Sequence, residues 1–151
     1  TSLQVIRNDD MLYERDQVFG GAVLSQQIAR QYGLSFEEAD ARKKSGDLPP
    51  DYADQVLRPF MDSLAQEIGR ALQFFFTSTP HNKVDHILLS GGCAALPGVV
   101  ETVAAQTAFP CKLVNPFDGM LLGPEVRSAG LALESTSYLV ATGLALRRFY
   151  P

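Results

Sequence analysis

No block of Lys or Arg appears anywhere in the 151 residues, and 13 basic against 17 acidic residues leave a formal charge of -4. A nucleic-acid binder needs a basic face to neutralise phosphates, so nucleic acid is not an expected partner. The longest apolar runs, such as Leu72 to Phe76 with Gln73 inside, fall far short of the roughly 20 residues that cross a bilayer. No signal peptide opens the chain, which is expected to be soluble. Cysteine is scarce too: Cys93 and Cys111 stand alone, without CxxC or Cys/His ligand spacing. Two reduced thiols in a cytosolic protein fit that usage better than a disulfide or a zinc site. Neither a P-loop nor GxGxxG is present.

What the sequence does have is 46% hydrophobic content, enough to bury one sizeable core. Residue 1 is Thr, and Leu3 to Arg7 already reads as a strand, so the chain is expected to be a fragment of something longer. Leu3 to Arg7 and Met11 to Arg15 predict a hairpin turned by Asn8, Asp9 and Asp10. After Gly20-Gly21, the stripe Leu24, Ile28, Tyr32 predicts a short helix stopping near Gly33. Ser35 followed by Glu38 is a capping-box pattern, and a second helix is expected from Phe36 to Lys44, closed by Gly46. Beyond the Pro49-Pro50 loop, Val56, Phe60, Leu64, Ile68, Leu72 and Phe75 recur at helical spacing. Pro59 lies inside that pattern and marks either the start of the regular helix or a mild kink.

Val84 to Leu89, Ser90-Gly91-Gly92, a helix opened by Pro97 and running to about Ala108, and Cys111 to Val114 make a strand, glycine turn, helix, strand unit. The apolar strand end implies a sheet covered on both faces, hence an α/β domain with a parallel component. Residues 118 to 135 read as a loop, and Ser137 to Phe149 as a last apolar helix containing Gly143.

The strongest chemical signal is Leu88-Leu89-Ser90-Gly91-Gly92-Cys93-Ala94-Ala95-Leu96-Pro97-Gly98. Paired glycines at the carboxyl end of a buried strand let a ligand approach the backbone, and the following helix would aim its free N–H groups at the same place. The pattern fits a simple tight turn as well as a ligand site. Asp40 and Lys43, three apart, sit on neighbouring faces of the second helix, where they fit a solvated charged surface as well as a binding pair. Cys93 has no base within reach and reads as an inert buried thiol, while His81 and His86 lack the further ligands a metal would need. Phe74-Phe75-Phe76 is too wide for one helix face and reads mainly as core.

The run around Gly91-Gly92 resembles the adenosine motif of the actin, sugar kinase and heat-shock chaperone superfamily. Ala141-Thr142-Gly143-Leu144-Ala145 is similar to that superfamily's second connecting helix. A closer similarity is to the PilM family of type IV pilus assembly, itself similar to the cell-division protein FtsA. It is carried by Phe19-Gly20-Gly21, the helix ending in Leu72 to Phe76, Ile87 to Ser90, Val114-Asn115-Pro116-Phe117 and Gly143 to Arg147, in order. The resemblance implies an actin-like, ribonuclease H-like α/β lobe built from residues 1–19 and 84–151, with residues 20–83 as a smaller helical insertion. It implies adenine-nucleotide contacts at Gly91, Gly92, Gly20, Gly21, Asp40 and Lys43, with Asp40 where the superfamily has Glu. The cofactor implied for the complete protein is ATP or ADP with Mg2+; no catalytic residue and no metal ligand is assigned in this chain.

The resemblance further implies a cytoplasmic protein held at the inner membrane through partners. Those partners would be inner-membrane pilus assembly proteins such as PilN and other pilus motor components, in a machinery serving twitching motility. Turnover is at most that of a slow ATPase in the complete protein, and the isolated chain is expected to be inactive and to self-associate through its apolar last helix. A sugar- or acetate-kinase-like enzyme and a structural adaptor with a vestigial nucleotide site are the alternatives.

Overall fold

Asn8 and Asp9 both adopt left-handed backbone angles, φ 50° and 68°, the conformation that a two-residue hairpin turn of matching twist requires. They join β1 (Ser2–Arg7) to β2 (Asp10–Asp16) as an antiparallel pair. Asp10, expected in the turn, is therefore the first residue of β2. The register slips between Val5 and Ile6, leaving Leu12 as an extra residue. Leu3, Val5 and Tyr13 share the more covered face, and Tyr13 lies against Phe74 and Phe75 with ring centroids 6.2 and 5.6 Å away. The computed structural model describes residues 1–126, 130–131 and 134–149.

Helix α1 (Gly21–Tyr32) ends on Gly33 at φ 64°, and α2 (Phe36–Ser45) ends on Gly46 at φ 77°. Both glycines take the left-handed angle that lets their N–H groups reach back to the last turn. The capping box is complete: Ser35 Oγ accepts from Glu38 N, and Glu38 Oε2 accepts from Ser35 N. Further on, Ala53–Leu57 is a π-helical turn, Arg58 N donating to Ala53 O. It runs straight into α3 (Arg58–Ser78), so Pro59 sits in the first turn, where a missing N–H costs nothing. Tyr32 Oη donates to Asp51 Oδ1 at 3.1 Å, tying the end of α1 to the approach to this turn.

The core of this part is Leu24, Ile28, Ala39, Val56 and the α3 face Phe60, Leu64, Ala65, Ile68, Ala71, Leu72, Phe75. Full burial of Phe60 and Phe75 is worth about 2–3 kcal/mol each. Phe19 stacks on Phe60 with centroids 5.0 Å apart. Phe74 stays half exposed on the surface, where the Arg15 guanidinium lies 5.2 Å from its centroid. Of the aromatic triplet, Phe75 is core.

Chain proximity groups Thr1–Lys83, with Ala105–Thr107, as one unit and Val84–Ala104, with the residues after Thr107, as another. The β1–β2 hairpin falls in the first. In the second, β3 (Ile87–Leu89) pairs in parallel with β4 (Cys111–Leu113), in the register Ile87 to Cys111. The parallel component is as expected, but β3 is shorter than the Val84 to Leu89 run. Ile87 N donates to Pro110 O, and Pro110 has no N–H to return, so the ladder cannot extend towards His86. Nor do the described residues cover both faces of the sheet. Leu88 and Leu113, on opposite faces by strand alternation, remain 52% and 45% exposed.

Helix α4 (Val99–Thr107) begins after Gly98, whose φ of 83° interrupts the chain, so Pro97 belongs to a turn rather than to the helix. Val99, Val103 and Ala94 form this unit's apolar core. Ser135–Tyr138 is a 3-10 turn leading into α5 (Leu139–Leu146), which has no buried residue. The last helix is therefore shorter than the expected Ser137 to Phe149. The loop expected over 118–135 lies partly outside the described residues, and Gly130, Leu131 and Glu134 within it are helical. Among the described residues no helix is long and apolar enough to cross a membrane.

Candidate functional site

Of the six glycine, acidic and basic positions singled out from sequence, four meet within the first unit. Gly20 is the residue before α1 and Gly21 its first residue. From the last turn of α2, Lys43 extends back to that helix start. Its Nζ donates to Gly21 O at 3.0 Å, to Ser25 Oγ at 2.6 Å and to Asp40 Oδ1 at 2.7 Å. An ammonium group has three protons, so all three donors are engaged. Ser25 Oγ in turn contacts Asp40 Oδ1 at 2.8 Å, and Lys44 Nζ lies 2.6 Å from Asp40 Oδ2.

This arrangement corrects the picture of a solvated charged face. The Lys43 side chain is only 18% exposed and Ser25 is fully buried. Hydrogen bonds from Lys43, Lys44 and Ser25 hold the Asp40 carboxyl well below the usual aspartate range, against a smaller opposing effect of burial. Sequence reasoning did not single out Ser25. The available signal was a hydroxyl directly beside Leu24 on the buried stripe of α1, where an unpaired polar group would be costly.

Gly91 and Gly92 lie in the second unit, at the carboxyl end of β3. Gly91 has φ 93° and ψ 171°, a conformation open in practice to glycine alone. Its N–H donates to Thr136 O at 2.7 Å, fixing the turn to the approach to α5. A Cβ built on Gly91 would meet nothing within 4 Å, whereas one on Gly92 would meet Ser137 Oγ at 3.9 Å. The backbone at Gly91 therefore faces open space, as a ligand-accessible turn must.

The dipole argument does not carry over. A 3-10 turn, Gly92–Ala95, follows Gly91 directly, and its Ala94 N–H is spent on Gly91 O. Helix α4 starts only at Val99, beyond that turn, and its first N–H is spent on Leu96 O. Backbone openness, not helix charge, is what this turn offers.

Cys93 and Cys111 are both free thiols, and burial, then Glu101, pushes the Cys111 thiol up, which disfavours its thiolate. His81 stacks on Phe75, with centroids 5.9 Å apart. Among the described residues no three His, Cys, Asp or Glu side chains are grouped to hold a metal ion.

Comparison with known proteins bears on the whole chain. Residues 1–149 match the family described as Type IV pilus assembly protein PilM. The solved "PilM-PilN type IV pilus biogenesis complex" contains a chain that superposes with a TM-score of 0.80 at 28% identity, over 99% of this chain and 43% of that one. The ethanolamine utilization protein EutJ from Carboxydothermus hydrogenoformans superposes with a TM-score of 0.69 at 19% identity, over 96% of this chain and 44% of that one. This chain thus spans under half the length of both.

Proposed function

The chain belongs to the type IV pilus assembly protein PilM family and has the actin-like α/β fold, and from that premise we propose that it supplies the adenosine end of a nucleotide site in a pilus assembly component. The observation that carries this reading is Gly91. A glycine-only backbone conformation with open space in front of it, at the carboxyl end of a parallel strand, is where α/β proteins present backbone to a ligand. Residues 1–19 and 84–151 then belong to the sheet-bearing lobe and 20–83 to the helical insertion. Gly20, Gly21, Asp40 and Lys43 are assigned to the nucleoside as well, with Lys43 exchanging one of its three internal acceptors for the ligand. ATP or ADP, with Mg2+, is the expected cofactor of the full-length protein; no residue here is assigned to magnesium or to the phosphates.

The solved relative is in complex with PilN. We extend that partnership to this protein: nucleotide binding governs docking to PilN and to other components at the cytoplasmic side of the inner membrane. Titration of the full-length protein with ADP and ATP by calorimetry tests the first half. Saturable binding supports it, and no heat with either nucleotide overturns it. Capture of PilN with and without ATP tests the second, and equal capture would separate docking from nucleotide.

One observation favours a second reading, an adaptor whose nucleotide site is vestigial. Lys43 already has every proton engaged by Gly21, Ser25 and Asp40, as a purely structural clamp would have. The calorimetric result decides between the two.

A further inference from the structure

Several threonine hydroxyls on the helices and their caps return their proton to the chain. Thr77 Oγ1 donates to Gln73 O at 3.0 Å, Thr79 Oγ1 to Phe75 O at 2.9 Å and Thr102 Oγ1 to Gly98 O at 2.8 Å. Thr136 does not. It is 5% exposed, and its Oγ1 is buried without a hydrogen-bond partner, although its own carbonyl accepts from Gly91 N at 2.7 Å. Among its neighbours, Tyr138 Oη is engaged by Glu134 at 2.9 Å. The one unpaired buried hydroxyl of this turn thus belongs to the residue that is hydrogen-bonded to the diglycine.

A buried polar atom left unpaired is uncommon, and each case calls for a reason. We infer that Thr136 is a nucleoside-binding residue: its hydroxyl turns about χ1 to meet a polar group of the nucleoside lying over Gly91. Threonine populates two χ1 wells on helical backbone, so the turn is a change between staggered states. Because Oγ1 has no internal partner to give up, the bond to ligand is gained without one being broken. A hydroxyl donates and accepts, so it suits a ribose hydroxyl or an edge of the base. This inference rests on the nucleotide reading of Gly91-Gly92 and adds to it a side chain that recognises the nucleoside rather than the phosphates.

The test is calorimetry with ADP and ATP on the full-length protein, wild type and two variants, with thermal melts alongside. Thr136→Val removes the hydroxyl and keeps the shape; it is expected to weaken ADP and ATP equally, by about three- to tenfold, the worth of one neutral hydrogen bond. Its melting temperature should not fall, since no internal bond is lost. Thr136→Ser should keep most of the affinity. Equal affinity of wild type and Thr136→Val overturns the assignment, as does a Thr136→Ser variant that loses as much as Thr136→Val, since retaining the hydroxyl would then make no difference. A loss confined to ATP would move the contact to the phosphates and equally overturn it. A wild type that binds neither nucleotide overturns the underlying reading itself, an outcome distinct from the others.

Discussion

Lys43 Nζ lies 2.6 Å from Ser25 Oγ, a side chain with no solvent exposure, so α2 is fastened to the start of α1 through a buried hydroxyl. Replacing Ser25 by Ala removes one of Lys43's three acceptors and one of the hydrogen bonds to Asp40 together. The expected loss is about 1–2 kcal/mol in urea unfolding. Unchanged stability would mean that the contact does not hold the helices together. Lys43→Ala should therefore lower the melting temperature as well as nucleotide affinity, rather than affinity alone.

Asp40 ties the same cluster to pH. Its carboxyl is held below the aspartate value of 3.8 by Lys43, Lys44 and Ser25. A folded-state value below the unfolded one contributes stability that is fully present above the unfolded value and lost as pH falls through the folded one. The clamp is thus intact at neutral pH and weakens only below about pH 4. Melting temperatures measured from about pH 7 to pH 3 should show a steeper acid-side fall for wild type than for Asp40→Asn. Parallel curves would remove Asp40 from the acid response.

Gly91 and Gly92 should respond differently to the same methyl group. Gly91→Ala forces φ 93° on an L side chain and is expected to cost about 1–3 kcal/mol. Gly92→Ala meets only Ser137 Oγ at ordinary contact distance, 3.9 Å, and should cost less than about 1 kcal/mol. In protein that remains folded, Gly91→Ala also fills the open space before the turn and should abolish ATP binding in calorimetry. Retained affinity would remove the turn from the nucleotide site.

Tyr13 carries the other buried unpaired hydroxyl among the described residues, pressed against Phe74 and Phe75. Tyr13→Phe keeps the ring contacts and removes the unsatisfied group, so it should be neutral or stabilising by up to about 1 kcal/mol. A clear drop in the denaturation midpoint would reveal a partner for that hydroxyl.

The hairpin turn offers a gain. Asp9 sits at φ 68° beside Asn8, and Asp9→Gly creates the Asn-Gly pair that such turns prefer. Relief of the left-handed strain should add about 0.4–1 kcal/mol to stability, read from the urea midpoint. A lower midpoint would show that the Asp9 side chain is needed in the turn.

What could be read from the sequence was local. Gly33, Gly46 and the Ser35 and Glu38 pair mark helix ends because their partners lie within a few residues. What was missed depends on residues far away in the chain. Nothing near Val84 announces that Pro110 ends the ladder at Ile87. Asp40 and Lys43 were legible as a pair, but their burial was not, because Ser25 and the Gly21 carbonyl come from another helix. Thr136 carries no sequence signature, since an unpaired hydroxyl is a property of packing.

The π-helical turn at Ala53–Leu57 makes the length of this stretch a constraint in its own right. Such a turn holds one residue more than α-helical spacing needs. Deleting a single residue here would draw the π turn towards α-helical spacing and place Pro59, which has no N–H to donate, deeper in a continuous helix. It would also swing everything before the deletion by about 100° around the axis. Asp51 would leave Tyr32, and Val56 would leave the core. Insertions and deletions at this point are therefore judged by side chains elsewhere, and losing one residue should harm the fold more than exchanging any one of them.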